Sequence, residues 1–228
     1  MKYSCSTLSS LFTLLFALQS GFATAQSSCS SDGVKPLHHL TERFISADCA
    51  TCWAAPTAAP KAELVLDWIV PSAAGVEAAL SAAANQDALA RLDALAVVLN
   101  KDQRLHRTTV KIPTAYTLRV AHGLAVNSYV GTSIDLTKRP KRAKKLDSVL
   151  LLVEHIPQGT ADSPVERLLV RNMLQESWNM AAQPTLLSRR PMSIPAGANP
   201  DNLRVVGWVQ DAQGRVLAMA QSRCMPGK

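Results

Sequence analysis

Cys49-Ala50-Thr51-Cys52 lies a short way behind a leader-like N-terminus, and this combination constrains the chain more than any other feature. Two thiols separated by two residues close a small disulfide, exchange disulfides with other proteins, or share a metal ion. The compartment decides which of these is open to them. Residues 1–25 have the layout of a secretory signal. Lys2 gives the positive start, Leu11-Phe12-Thr13-Leu14-Leu15-Phe16-Ala17-Leu18 the apolar middle, and Ala23-Thr24-Ala25 the small-x-small pattern before a cleavage point at Gln26. That apolar run falls well short of the roughly 20 residues that span a bilayer, and no later segment approaches that length. The expectation is an exported, periplasmic protein.

Removing the leader removes Cys5 and leaves Cys29, Cys49, Cys52 and Cys224. An even count in an oxidising compartment favours disulfides. Cys49 and Cys52 are placed to pair locally. Cys29 and Cys224 lie near opposite ends of the mature chain and either bridge the termini, stay free, or pair between molecules.

The formal charge is +7, and six cations sit in one run, Lys138-Arg139-Pro140-Lys141-Arg142-Ala143-Lys144-Lys145. The run is a solvated loop between strands or a contact for an anionic lipid surface. Nucleic acid is a poor partner for an exported chain, and no aromatics interleave these charges to stack on bases. The sequence carries no Gly-x-Ser-x-Gly elbow and no Gly-rich phosphate loop, so neither a hydrolase nor a nucleotide cofactor is expected.

Along the chain, residues 26–36 read as a polar, loose arm. Leu40–Ile45 reads as a strand leading into the Cys pair. Pro56 and Pro60 allow only a short or kinked helix after Cys52, and Glu63–Val70 has strand composition up to Pro71. Leu89, Leu92, Leu95 and Leu99, interleaved with Asp87, Arg91 and Asp93, predict an amphipathic helix over Asn85–Leu99, with a possible extension upstream through Ala78–Ala84. A basic turn is expected over Lys101–Arg107. Strand composition then recurs at Thr114–Val120, Val126–Leu136, Ser148–Ile156, Val165–Leu174 and Leu203–Val209. Asp211-Ala212-Gln213-Gly214 predicts a tight turn into a terminal hairpin strand over Arg215–Ser222. Four prolines between Pro184 and Pro200 predict a long connection.

The N-terminal order is strand, Cys-x-x-Cys, broken helix, strand, helix, then Ile112-Pro113-Thr114 before another strand. It resembles that of thioredoxin-like proteins. With the segment Phe44-Ile45-Ser46-Ala47-Asp48-Cys49-Ala50-Thr51-Cys52 and a β-rich second half, the chain is similar to a bacterial family of exported thioredoxin-like proteins. The resemblance implies an α/β + β fold, with a variant thioredoxin-like half over 37–120 and a β-sandwich-like half over 121–228. It also implies that Pro113 is a cis proline shaping a groove beside the sulfurs. One departure stands out, because Trp53 follows the Cys pair where thioredoxins have a Trp before it.

In the exchange reading, Cys49 attacks a client disulfide and Cys52 resolves the mixed intermediate, so the partners would be other exported proteins. A helix starting near Cys52 would favour the Cys49 thiolate, and Asp48 would oppose it. The alternative is a non-catalytic binding or scaffold protein whose disulfides only staple the fold. A third reading adds imidazoles from His38-His39, His122 or His155 to the two sulfurs as a zinc or copper site.

Overall fold

The computed structural model describes residues 29–56, 63–110, 116–139, 145–180 and 185–224. The leader, Pro113 and the centre of the basic run lie outside them. The first part of the chain gives β1 (Cys29–Ser30), β2 (His39–Ser46), α1 (Ala50–Ala54), β3 (Glu63–Val70), α2 (Gln86–Ala94) and β4 (Gln103–Thr109). The second gives β5 (Thr117–Val126), β6 (Tyr129–Lys138), β7 (Lys145–Ile156), β8 (Arg167–Asn179) and β9 (Leu187–Ser193). After these come β10 (Leu203–Gln210), β11 (Val216–Gln221) and β12 (Arg223–Cys224). The fold is mostly β-sheet with few helices.

Two sheets organise these strands. A seven-stranded sheet has the order β11-β10-β7-β8-β3-β2-β4, and a five-stranded sheet the order β12-β1-β5-β6-β9. Strand alternation separates the layers. Leu150 and Leu152 of β7 face Val120, Ile134 and Leu136 of the five-stranded sheet. Val149, Leu151 and Val153 face the opposite way and share a core with Phe44, Trp68, Trp208 and the α2 residues Ala88 and Leu92. Gly207 of β10 lies between the sheets, where an added Cβ would stand 2.8 Å from the Val120 side chain, so only glycine permits this spacing.

The larger sheet crosses the sequence boundary near residue 120. Parallel β2 and β3 register residue for residue, and β3 then joins β8 in parallel, with Asp67 opposite Leu169. Residue 120 itself lies within β5. Residues 29–32, read from sequence as part of a loose arm, are held by β1 pairing and by a bidentate bond from Arg119 to Asp32.

Several local expectations change. The helix expected over 85–99 ends at Ala94, because Ala96 takes a left-handed conformation that reverses the chain. Leu95, Val97 and Leu99 still pack on the core from beyond the helix. It also does not extend upstream. Asn85 is extended and caps the helix with its side chain on the Asp87 amide, and residues 75–77 and 81–83 form separate 3-10 turns. The basic turn expected at 101–107 is largely β4, an edge strand whose exposed residues carry no apolar alternation. The proline-rich connection contains β9, where Pro191 is tolerated because β9 is an edge. Strands expected at 114–120 and 126–136 are β5 and β6, joined at Asn127-Ser128, both with positive φ.

Candidate functional site

The Cys pair occupies the turn leaving the carboxyl end of β2. Cys49 and Cys52 are joined by a disulfide with an S–S distance of 2.02 Å. Cys49 caps α1, and its sulfur accepts the Cys52 amide hydrogen at 3.2 Å, with the Thr51 hydroxyl at 3.4 Å. The following helix is only five residues long, so its dipole at Cys49 is small.

Both sulfur-bearing residues are buried. Cys49 is 7% exposed and Cys52 9%, in an apolar cluster with Ile45, Ala47, Trp53, Ile69, Ala78, Ile156 and Leu169. Ile156 and Leu169 come from β7 and β8, so the second half of the chain helps to cover the site. Electrostatics add to the burial. An Asp102 carboxylate oxygen lies within 4.8 Å of both sulfurs, and Asp48 adjoins Cys49 while accepting from the Ser72 hydroxyl at 2.8 Å. Two carboxylates beside a sulfur disfavour a thiolate.

A buried charge network lies beside the turn. Strand alternation puts Arg43, Asp67 and Arg167 on the face that carries Ile45, Ile69 and Leu169. Arg43 Nε donates to Asp67 Oδ1 at 2.6 Å, and Arg167 Nη1 approaches Asp67 Oδ2 at 3.5 Å. Burial pushes the Asp67 carboxyl up to about 6, against the opposing pull of Arg43.

Arg167 also donates to the carbonyls of Trp53 and Ala55, at the end of α1, and to the Ser163 hydroxyl. These carbonyls have no intrahelical partner, so the guanidinium completes the helix terminus. Its Cζ sits 4.8 Å from the centroid of the Trp53 ring, and the Trp53 indole donates to the Ala161 carbonyl at 2.7 Å. The segment that carries Cys52 is thus clamped from β8 and from the turn before it.

On the opposite face of the same sheet, Arg91 of α2 makes a bidentate bond to buried Glu42 at 2.8 and 2.7 Å and stacks on Trp208. Sequence reading put Arg91 on the polar side of the helix and Arg167 on a wet sheet face, where both are in fact buried, and gave Glu42, Arg43 and Asp67 no role. Glu42, Arg43 and Asp67 interrupt otherwise apolar strands, and a strand buried on both faces can hold a charge only if it is paired. That interruption was the available signal.

The histidines expected beside Cys49 and Cys52 do not gather there. His39 opens β2, roughly 23 Å along the strand from its carboxyl end. His155 pairs with Glu166 at 2.9 Å, and His122 lies beside the other cysteine pair. The groove role expected of Pro113 falls outside the described residues. Lys138 ends β6 and Lys145 begins β7, so the basic run connects two strands.

Cys29 and Cys224 are joined at an S–S distance of 2.07 Å, 195 residues apart in sequence. The outer face of the five-stranded sheet forms a cleft of about 1000 Å³. It is lined by the small residues Ala121, Gly131 and Ser133 and by the charged Asp32, Arg119, Asp135 and Arg189.

No protein-family model matches the sequence, and no curated protein does. Among solved structures the chain is similar in fold to HBP35 of Porphyromonas gingivalis, with a TM-score of 0.50 and 9% identity. The match covers 83% of this chain and 76% of that one. At this identity the likeness concerns fold alone.

Proposed function

We propose that this chain is an exported, non-catalytic binding protein in which the Cys49–Cys52 disulfide is a structural staple. The observation that carries this reading is the burial of both cysteines in an apolar cluster clamped by Arg167 and Trp53. An exchange centre must present one sulfur to a client disulfide in line with the bond to be broken. Here the surrounding side chains and two carboxylates oppose that approach. The cleft on the five-stranded sheet, lined by small residues and by both charge signs, is the surface offered for binding.

Export is supported by the leader-like residues 1–25 and by the pairing of Cys29, Cys49, Cys52 and Cys224 into two disulfides, a pattern suited to an oxidising compartment. N-terminal sequencing of the protein recovered from the periplasm tests it, and the expected first residue is Gln26. A mature protein that retains Met1 and stays in the cytosol rules export out.

A second reading is thiol–disulfide exchange with other exported proteins. It is favoured by the amide of Cys52 and the hydroxyl of Thr51, which would both stabilise a Cys49 thiolate. The thioredoxin-like reading of residues 37–120 belongs with it, supported by parallel β2 and β3 flanking the Cys turn and by α2 on one face.

One experiment separates the two readings. A Cys52→Ser variant is expressed in the exported compartment and probed for mixed disulfides at Cys49, and the reduction potential of the wild-type pair is measured. The staple predicts no adducts and a potential below about −300 mV. Abundant adducts at a higher potential overturn it in favour of exchange.

A further inference from the structure

We infer that Cys29, His122 and Cys224 form a redox-gated metal site, closed while the disulfide is intact and able to take a d10 cation, zinc or copper(I), once it is reduced. The three residues lie in a row across adjacent strands. Cys29 of β1 is the cross-strand partner of Cys224 on β12 and of His122 on β5. Their ligand atoms all lie within 4.8 Å of one another.

The histidine is already set as a ligand. His122 Nδ1 lies 3.0 Å from the Gly123 carbonyl, so it carries the proton and donates it there. Nε2 then has its lone pair directed toward Cys224 Sγ at 4.0 Å. A hydrogen bond from the far ring nitrogen to a backbone carbonyl is the usual support of a metal-bound imidazole. Tetrahedral zinc, with bonds of about 2.3 Å to sulfur and about 2.1 Å to nitrogen, needs a sulfur–nitrogen separation of about 3.6 Å. The two sulfurs, 2.07 Å apart in the bridge, must separate to about 3.8 Å once it is reduced, so the cysteine side chains rotate to admit the ion. Two thiolates and one imidazole suit zinc or copper(I) over hard cations. The fourth position faces a cleft of about 850 Å³ that these three residues line together with Asn127, Ser128 and Asp201.

Opening the site needs two electrons, supplied by an external dithiol. Its thiolate attacks Cys224 Sγ, the exposed end of the bridge, and the Cys29 thiolate leaves. The second thiol of the reductant then displaces Cys224, giving two protein thiols and one oxidised dithiol. Binding of the cation releases the two thiol protons. The ion then joins β12 and β1 as the covalent bond did, and ties in β5 through His122. None of this depends on whether Cys49 and Cys52 exchange.

The test uses the full mature chain, reduced and freed of reductant without oxygen, then titrated separately with zinc and copper(I) against a chromophoric chelator while circular dichroism follows the fold. About one ion is expected per reduced chain and less than about 0.1 per oxidised chain. His122→Ala should weaken binding at least about tenfold. A Cys49→Ser/Cys52→Ser variant should bind as the wild type does, and cobalt substitution should show a two-thiolate, one-imidazole spectrum. Binding that survives His122→Ala and Cys224→Ser but is lost in the Cys49→Ser/Cys52→Ser variant overturns the inference. So does a reduced chain that takes up neither ion, whether it stays folded or unravels, since the ion must stand in for the disulfide.

Discussion

The two disulfides sit in opposite surroundings. Cys49–Cys52 spans a sequence separation of 3 inside a packed cluster already fastened by Arg167 and Trp53. Cys29–Cys224 spans 195 and joins two strands of two residues each, with an exposed end and a cleft beside it. A cross-link contributes most where little else restrains the chain. It is open to chemistry only where its sulfurs meet solvent. By both criteria the terminal bridge outranks the Cys-x-x-Cys bridge, although the latter is the more conspicuous in sequence.

The largest expected effect is therefore on the terminal bridge. Cys29→Ser/Cys224→Ser should lose about 5 kcal/mol by the chain-entropy relation, read as a lowered urea midpoint. If its loss costs no more than that of the short bridge, the contrast between the two disulfides fails. Next is Arg167→Ala, which strips partners from the Trp53 and Ala55 carbonyls and from Asp67. Breaking a buried pair in this way costs about 3–5 kcal/mol, and proteolysis near α1 should accelerate.

Third is a pH effect beside the short bridge. The Asp67 carboxyl stands at about 6 in the fold against 3.8 for the free group. Between these values the native chain keeps a proton that the unfolded chain has released. Stability from this group is complete below the lower value and declines as pH rises toward the upper one, by at most about 3 kcal/mol. Asp67→Asn should flatten that slope in urea titrations at pH 4 and pH 7. Smallest is Cys49→Ser/Cys52→Ser, expected to lose about 2 kcal/mol. A loss exceeding that of Arg167→Ala would show that the bridge, and not the guanidinium clamp, secures α1.

The sequence was most legible where strands are buried. Glu63–Val70 has the same bounds in the structure as in the sequence reading, because β-branched and aromatic residues fill it and Pro71 ends it. β4 and β9 were hidden for the opposite reason. Both are edges, and the exposed basic residues of β4 read as a turn while Pro191 in β9 read as a connection. Helix α2 was legible in kind, and its end was not, since a left-handed alanine leaves no trace in composition. At the site, the cysteine pair was visible and its burial was not. Part of the cover comes from Ile156 and Leu169, more than 100 residues downstream, and no local pattern records a contact of that range.

The β3–β8 seam also fixes an order of events for a nascent chain. β3 emerges about 100 residues before the strand it must pair with. Until β8 is made, it presents unpaired amides and carbonyls along one side. Closure must then wait on a search across a long loop, which is slow for non-local parallel pairing. Over that interval this exposed flank is where a misdirected partner would attach, and where a holding chaperone would have the most to protect.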